Sequence, residues 1–242
     1  MEITELQRDL AATFRWTARL NMHEGVANHF SACVPGSTTD FFVNKAGIHF
    51  SQIKASDLIL VTKENINDLK NQPNLIDPTA INIHGTIHQK VPHAKCIFHL
   101  HSKYATALSA LKDPIIKPID QNTAIFYNRV SVFNEFGGLG FEDESIKMAN
   151  ALGNKQHMLL ANHGIITTGE TIAEGFNYLY YFERAAETYL TALSTNQELN
   201  IISDEVAEKT AQETANYPID LSKLHLQQIR LILDKEEPEY KN

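Results

Sequence analysis

Short β-prone runs alternate along the chain with longer amphipathic stretches, and this alternation limits the folds that the chain can adopt. Apolar residues at helical spacing cover 3–20, whereas β-branched and aromatic residues fill 58–62 and 95–100. Several short runs come in pairs joined by turn residues, which is typical of antiparallel hairpins. The sequence therefore predicts an α/β fold in which helices cover a sheet with antiparallel pairing.

The same patterns predict further strands at 32–34, 41–44, 156–161 and 165–168, and further helices at 80–89, 102–111, 142–152 and 171–195. Residues 203–234 have a helical composition, and the highly charged residues 235–242 predict a frayed end. No repeat or linker divides the chain. We therefore expect one domain over 1–242, with 203–235 as a C-terminal helical tail.

Charge and composition exclude several classes of function. The chain has 21 Lys and Arg against 29 Asp and Glu, a net charge of −8 that opposes docking onto nucleic acid or an anionic membrane. No apolar stretch reaches the roughly 18 residues of a membrane span, and the acidic N-terminus does not resemble a signal peptide. Only Cys33 and Cys96 occur, which argues against a disulfide framework. A cytoplasmic protein is the expectation.

Two histidine motifs indicate a metal site. His99 and His101 are two residues apart on a predicted strand, so both side chains project from the same face and can share one ion. His163 lies in a tight Asn-His-Gly turn between two predicted strands, where it can supply a third ligand. Three imidazoles leave a coordination position open, as catalytic sites require. The alternative is a chance pair on a polar sheet face and a histidine that only caps a turn.

A second histidine pair, His84 and His88, lies on one face of a predicted helix. The metalloprotease motif needs glutamate directly after the first histidine, but Gly85 occupies that position. A protease is therefore disfavoured. Packing or a hydrogen bond is the expected role of His88, whereas His84 is a candidate neighbour of the metal ligands.

Four segments in order resemble one known family. They are NHFS at 28–31, AGIHFS at 46–51, INIHGTIHQKVPHAKCIFHLH at 81–101 and LLANHGIITTG at 159–169. Together they resemble the class II aldolase and adducin family, over roughly 5–200. The combination is more specific than the HxH motif by itself.

This resemblance implies a fold, a cofactor and an assembly. The implied fold is a three-layer α/β/α sandwich around a mainly antiparallel central sheet. His99, His101 and His163 are the implied ligands of a divalent metal, most commonly zinc, with manganese, iron and cobalt as alternatives. The implied partners are a small-molecule substrate and identical subunits, usually in a homotetramer.

The chain departs from the family pattern at the residue that moves protons. Sugar-phosphate aldolases of the family carry an acid/base glutamate where ungapped matching places Ala80. Alanine neither binds a metal nor carries a proton. Three candidate replacements are Tyr127, His29 and Glu24, with Tyr127 slightly favoured because relatives often use a phenol as proton donor. Each has an ordinary structural alternative, as a strand aromatic, a loop histidine or a solvated loop acid.

The implied phosphate subsite also differs. Asn28, Gly47 and Thr79 are candidates to line a substrate pocket, but Pro78 lacks a backbone donor and Lys45 is the only cation beside these turns. An unphosphorylated keto or hydroxy acid, or a carbonyl compound, is therefore the expected substrate. The expected reaction is metal-dependent aldol cleavage or decarboxylation through a stabilised enediolate.

Two other functions fit the same motifs. A non-catalytic, adducin-like interaction protein would explain the loss of the glutamate, but such domains have lost the ligand histidines that this chain keeps. A metal-dependent epimerase would use the same retro-aldol chemistry and rejoin the fragments on the other face. The retained histidines favour an enzyme.

Overall fold

The structure, a computed structural model, describes residues 3–135, 137, 138 and 144–242. Its central sheet has seven strands within these residues, and they are β1 (His29–Cys33), β2 (Phe41–Asn44), β3 (Leu58–Val61), β4 (Cys96–Leu100), β5 (Val130–Phe133), β6 (His157–Leu160) and β7 (Gly164–Gly169).

The strand order is β3-β2-β1-β4-β7-β6-β5. Neighbouring strands are antiparallel except for β5 and β6, which are parallel. Strand β4 lies in the middle, with β1 on one side and β7 on the other. The mainly antiparallel sheet that the family resemblance implies is confirmed.

The helices of the described residues are α1 (Ile3–Arg19), α2 (Ile66–Lys70), α3 (Pro78–Lys90), α4 (Lys103–Ser109), α5 (Gln121–Ile125), α6 (Glu144–Leu152), α7 (Ile172–Ser194), α8 (Asp204–Ala215) and α9 (Leu221–Glu236). None of these helices is both long and apolar enough to cross a bilayer.

Helices cover both faces of the sheet because neighbouring residues of each strand point to opposite sides. On β4, Phe98 packs in a core with Phe14 of α1 and Phe182 of α7, whereas Ile97 packs in a second core with Ile83 of α3. All five side chains are fully or almost fully buried. The three-layer α/β/α sandwich is therefore confirmed.

The C-terminal residues contradict the expected frayed end. A 3-10 turn, Pro238–Lys241, brings the Tyr240 ring into the core beside α1, and its hydroxyl donates a hydrogen bond to Asp234 at 2.8 Å. Buried Arg15 of α1 pairs with Glu237 at 3.1 Å. Charge alone mispredicted this end, because its acidic residues meet arginines of α1. The packing of α9 against α1 supports the expectation of one domain, which stays a prediction.

The structure differs from the sequence predictions in the bounds of some elements and in the presence of others. The helix predicted over 142–152 starts in residues that lie outside the described part, and it is seen as Glu144–Leu152. Helices α2 and α5, of five residues each, were not predicted. Strand β1 begins at His29, three residues before the predicted start, because His29 already pairs with His99 of β4. This last difference changes the interpretation of the site.

His157 of β6 gives a test of the buried core. Its side chain is 1 % exposed, Nδ1 has no hydrogen-bond partner among the described residues, and burial lowers its pKa to about 3. The folded state therefore keeps this imidazole neutral, while the unfolded chain protonates it below its usual pKa of about 6.5. The free energy of unfolding that the neutral His157 contributes is therefore fully present above pH 6.5, and it decreases as the pH falls from there toward 3.

We expect His157→Phe to remove this dependence. At pH 5, the variant should take up about one proton fewer on unfolding than the parent protein does. The slope of its free energy of unfolding against pH should therefore be smaller by about 1.4 kcal/mol per pH unit. Urea unfolding at pH 4.5 to 7, followed by circular dichroism, measures the two slopes. Equal slopes for the variant and the parent protein would contradict the assignment.

Candidate metal centre

Three histidines meet where β4 and β6 end. His99 is on β4, His101 follows it, and His163 lies in the turn between β6 and β7. Each offers a ring nitrogen, and the three nitrogens lie within 4.8 Å of one another, the only such group of potential ligands that the described residues contain. The ring centroids are 4.6 to 4.9 Å apart. The predicted trio is therefore assembled by the fold.

Hydrogen bonds behind the rings fix the direction of two of them. His99 Nδ1 donates to the carbonyl of Ile165 at 3.0 Å, and His101 Nδ1 donates to Glu24 Oε2 at 2.6 Å. A neutral imidazole that donates from Nδ1 has a lone pair on Nε2. The two Nε2 atoms lie only 3.2 Å apart, so both lone pairs point into the same space.

Such a convergence of lone pairs fits a divalent cation. Ligating histidines commonly donate their second ring N–H to a carbonyl or a carboxylate, as His99 and His101 do here. Burial lowers the pKa of His99 well below its usual value and that of His163 to about 4, so both rings are neutral at physiological pH. Neutral imidazoles suit zinc and several other divalent ions.

The tight turn that carries His163 depends on Gly164. A Cβ at this position would lie 2.3 Å from the carbonyl oxygen of Leu100, on the neighbouring strand β4. Asn162 adopts a left-handed conformation with φ 57°, which asparagine tolerates better than most residues. The Asn-His-Gly sequence therefore lets the turn approach the end of β4 and bring His163 to the other two histidines.

Sequence reasoning missed the residue that holds the chain after His101. Glu183 of α7 is 8 % exposed, and its carboxylate accepts hydrogen bonds from the Ser102 hydroxyl at 2.6 Å and from the backbone N–H groups of Tyr104 and Ala105. A carboxylate stabilises the amino end of a helix, here α4. Glu183 is distant in the sequence, so no local motif indicated it.

His29 lies beside the trio without belonging to it. Its register partner across β1 and β4 is His99, and their ring centroids are 5.0 Å apart. His29 Nε2 lies 3.4 Å from the hydroxyl of Thr79, the neighbour of Ala80 at the start of α3. Of the three predicted acid/base candidates, His29 is therefore next to the position that lacks the glutamate, and it is a strand residue.

Glu24 also comes to the centre, but in a different role from the one predicted. Its carboxylate accepts the hydrogen bond from His101 Nδ1, and the side chain is about half exposed. A carboxylate in this position orients an imidazole and raises its basicity. The geometry therefore gives Glu24 a positioning role, and its assignment as an acid/base group stays a prediction.

Tyr127 lies at the opposite end of the sheet within this chain. It is three residues before β5, whose first residue, Val130, pairs with His157 at the start of β6. His163 follows the other end of β6, so the two sites are separated by the strand length, about 3.3 Å per residue. The Tyr127 hydroxyl bonds with Asp204, which raises its pKa. Its proton-donor role stays a prediction that a single chain does not support.

The three candidate substrate-binding residues lie around β1 and the start of α3. Asn28 directly precedes His29, has φ 76°, and accepts a long hydrogen bond from the His101 backbone N–H at 3.4 Å. Gly47 is exposed in a turn with φ 76°, next to Ala46, whose N–H bonds to Leu75 before α3. Thr79 is the residue beside His29. Binding of substrate by these residues stays a prediction.

A family comparison agrees with this geometry. The model of the class II aldolase and adducin N-terminal domain matches residues 8–190. The chain belongs to the class II aldolase and adducin family. The match contains all three clustered histidines together with His29 and Glu24, and family aldolases use a divalent metal.

Relatives in sequence are named for two different reactions, aldol cleavage and decarboxylation. A class 2 aldolase-type protein of Caulobacter vibrioides is 30 % identical over 201 residues, which are 83 % of this chain and 77 % of that protein. Decarboxylase NovR of Streptomyces niveus is 29 % identical over 80 % of this chain and 68 % of its own length.

Two solved structures match the fold over almost the whole chain. An aldolase II superfamily protein from Pseudomonas syringae has a TM-score of 0.87 at 28 % identity, covering 99 % of this chain and 96 % of its own. L-fuculose 1-phosphate aldolase from Glaciozyma antarctica has a TM-score of 0.82 at 26 % identity, covering 99 % and 92 %.

We expect His99→Ala, His101→Ala and His163→Ala each to abolish stoichiometric metal binding, because two imidazoles remain at an open site. The chain should stay folded, since its two cores on the faces of the sheet do not contain the metal ligands. Elemental analysis after dialysis and circular dichroism measure both properties. His93→Ala, which removes a histidine that bonds to Lys155 away from the cluster, is the control. Full metal occupancy in any ligand variant would refute the assignment.

Glu24→Gln tests the positioning role of this carboxylate. The amide keeps the size and an acceptor oxygen but loses the charge that supports His101, so metal affinity should fall about 10- to 100-fold. Competition with a chromogenic chelator gives the dissociation constants. Glu64→Gln, a change at an exposed glutamate on the segment before α2, should leave the affinity unchanged. An unchanged metal affinity in Glu24→Gln would show that the Glu24 carboxylate does not position His101 for metal binding.

Proposed function

We propose that this chain is a metal-dependent lyase that cleaves or decarboxylates a small, unphosphorylated keto or hydroxy acid. The observation that carries the proposal is the convergence of His99, His101 and His163 within 4.8 Å. A divalent ion held by these imidazoles supplies a Lewis acid that polarises a carbonyl and stabilises negative charge on oxygen. Zinc is the metal that we propose first, since three neutral imidazoles are common ligands of catalytic zinc.

The chain itself orients the ligands and excludes water from part of the site. Glu24 and the Ile165 carbonyl each fix one imidazole through Nδ1. His99 and His29 are 2 % and 4 % exposed, so the side of the site next to β1 is dry, whereas His101 is partly open to solvent. We propose that substrate approaches from the side of His101 and of Thr79, which is also partly exposed.

The start of α3 supports an unphosphorylated substrate. Asp77 caps this helix, and one of its carboxylate oxygens accepts hydrogen bonds from both the backbone N–H of Thr79 at 2.8 Å and its hydroxyl at 2.7 Å. Pro78 has no N–H to offer. A phosphate dianion would thus find these donors already used and would face the negative charge of Asp77.

His29 is our choice for the group that exchanges a proton with the substrate. Among the three predicted candidates it combines contact with the ligand His99 and proximity to Ala80. Its Nε2 atom faces the Thr79 side of the site, where a substrate hydroxyl can reach it. The aliphatic Ala80 is buried in the core between α3 and the sheet and does no chemistry.

Decarboxylation and aldol cleavage place negative charge on the same oxygen, so one site can support either. The name of the relative NovR, a decarboxylase, favours decarboxylation, and that of the fuculose phosphate enzyme favours aldol cleavage. The Asp77 cap supports the former. Intact ligand histidines speak against a non-catalytic adducin-like protein, and product analysis distinguishes an epimerase.

Two further proposals concern the assembly of the protein and its location in the cell. We propose a homotetramer, as the family resemblance implies. We also propose a cytoplasmic location without nucleic-acid or membrane partners, supported by two buried free cysteines and a net charge of −8.

The substrate class can be tested directly. The metal-loaded protein should turn over unphosphorylated hydroxy or keto acids and should cleave short sugar phosphates poorly, because the acid/base carboxylate and the anion pocket are both missing. Steady-state kinetics on a panel of hydroxy acids, keto acids and sugar phosphates measures this preference. Cleavage of a sugar phosphate by the parent protein with a kcat/KM of about 10⁴ M⁻¹s⁻¹ or more would refute the proposal.

Two variants make the test sharper. Asp77→Asn keeps a capping side chain while removing the charge, and should lower KM for sugar phosphates. Its matched control is Asp120→Asn, which changes a cap of α5 that likewise bonds to a threonine, Thr123. Ala80→Glu restores the family carboxylate and should raise sugar-phosphate cleavage. No change in either site variant would argue that phosphate selectivity has another origin.

A further inference from the structure

A line of buried polar side chains leads from His29 away from the metal centre, between β1 and α3. His29 Nδ1 lies 2.6 Å from His84 Nε2, and the Ser31 hydroxyl bridges His84 Nδ1 and His88 Nε2. His88 Nδ1 lies 2.6 Å from the carbonyl oxygen of Ala94, where the line ends. The four side chains are at most 4 % exposed.

Secondary structure explains why these residues meet. His29 and Ser31 are two residues apart on β1 and share one face of the strand. His84 and His88 are four residues apart and share one face of α3. Packing of α3 on the sheet interleaves the two pairs, so the polar atoms between His29 Nδ1 and the Ala94 carbonyl all find partners.

The carbonyl at the end of the line sets the direction of every hydrogen bond. The Ala94 oxygen can only accept, so His88 carries its proton on Nδ1 and has a lone pair on Nε2. Ser31 therefore donates to His88 and accepts from His84 Nδ1. A neutral His84 then has a lone pair on Nε2, which accepts from His29 Nδ1.

The reverse direction is disfavoured because of burial. It would place a lone pair of His88, which is 1 % exposed, against the Ala94 oxygen at 2.6 Å. Each ring has one proton only, because a charged imidazole is costly away from water and the three rings are at most 4 % exposed. A neutral His29 consequently has an unprotonated Nε2.

At the outer end, this lone pair meets no competing donor from Thr79. The Thr79 hydroxyl is 3.4 Å from His29 Nε2, but its proton points to Asp77 at 2.7 Å. We propose that Ser31, His84 and His88 are positioning residues that hold His29 in the tautomer with Nε2 unprotonated, so that it accepts a hydrogen bond from a substrate hydroxyl. The inference rests on the proposed role of His29 in the lyase.

The proposal assigns a substrate feature as well as a set of residues. A ligand that presents a hydroxyl beside the metal-binding oxygens is matched by the Nε2 acceptor, whereas a carboxylate or carbonyl oxygen at that point would meet a lone pair. The site therefore selects a hydroxy acid over the corresponding keto acid. The substrate class of the proposed function is narrowed accordingly.

The tautomer is measured by long-range ¹H–¹⁵N NMR of histidine-labelled protein, with and without Zn²⁺, and His29→Gln assigns the His29 signals. We expect a protonated Nδ1 and an unprotonated Nε2 on His29. In Ser31→Ala and His84→Phe the population of the other tautomer should rise. His84→Gln, whose amide can accept from His29 and donate to Ser31, should restore the original signals.

His157→Phe is the matched control, because it removes another fully buried histidine that lies on β6 outside the line. It should leave the His29 signals unchanged. Ser31→Ala should lower kcat on a hydroxy acid in proportion to the lost tautomer, about tenfold for a tenfold smaller population, with unchanged KM and metal content. If Ser31 had a purely structural role, Ser31→Ala would leave the tautomer populations of His29 unchanged.

Failure of this inference is separable from failure of the lyase assignment. The NMR signals need neither a substrate nor turnover, so they report on the line even if no tested compound reacts. A protonated Nε2 on His29 in the parent protein would overturn the inference while leaving metal binding intact. An unperturbed tautomer in both Ser31→Ala and His84→Phe would overturn it as well.

Discussion

The pairing of β4 with β1 on one side and with β7 on the other sets the position of every imidazole in the site. Register places His29 opposite His99, and His99 opposite Ile166, so that its ring reaches the carbonyl of Ile165. A slip of one residue would turn each side chain to the other face of the sheet. Aromatic side chains such as Phe30 and Phe98, which alternate with the histidines, prevent that slip because they fill the core under α1 and α7.

Burial of so many imidazoles has a cost that hydrogen bonds largely offset. An unpaired polar group inside a protein destabilises it by about 1 to 3 kcal/mol. His84 and His88 avoid this cost because both ring nitrogens of each have a partner, and the line ends at a backbone carbonyl. His157 is different, since its Nδ1 has none among the described residues.

The surroundings of the histidine trio bear on the expected departures from the family's sugar-phosphate aldolases. The fold is that of the family, as the match to the fuculose phosphate enzyme shows, and it brings three histidines together in a group that could hold a metal ion. Around them, Asp77 uses the donors at the start of α3, and Ala80 is a core residue. A line of buried imidazoles runs from His29 into the space between β1 and α3. Such surroundings fit the proposed substrate, whose charge a bound metal would hold in place of an anion pocket.

Local patterns in the sequence determined most of the elements and indicated the histidine trio. Period-two and helical spacing located β4, α3 and α7 to within a few residues, and the HxH and Asn-His-Gly motifs carry their own geometry, because strand alternation and a glycine turn are short-range properties. Tertiary structure alone decided the surroundings. Glu24 reaches His101 and Glu183 reaches Ser102 across about 80 residues, 77 and 81 apart, through contacts that no local pattern encodes. The register of β1 on β4 made His29 part of the site, and the strand length of β6 kept Tyr127 away from it, because only the folded sheet fixes which distant residues share an edge.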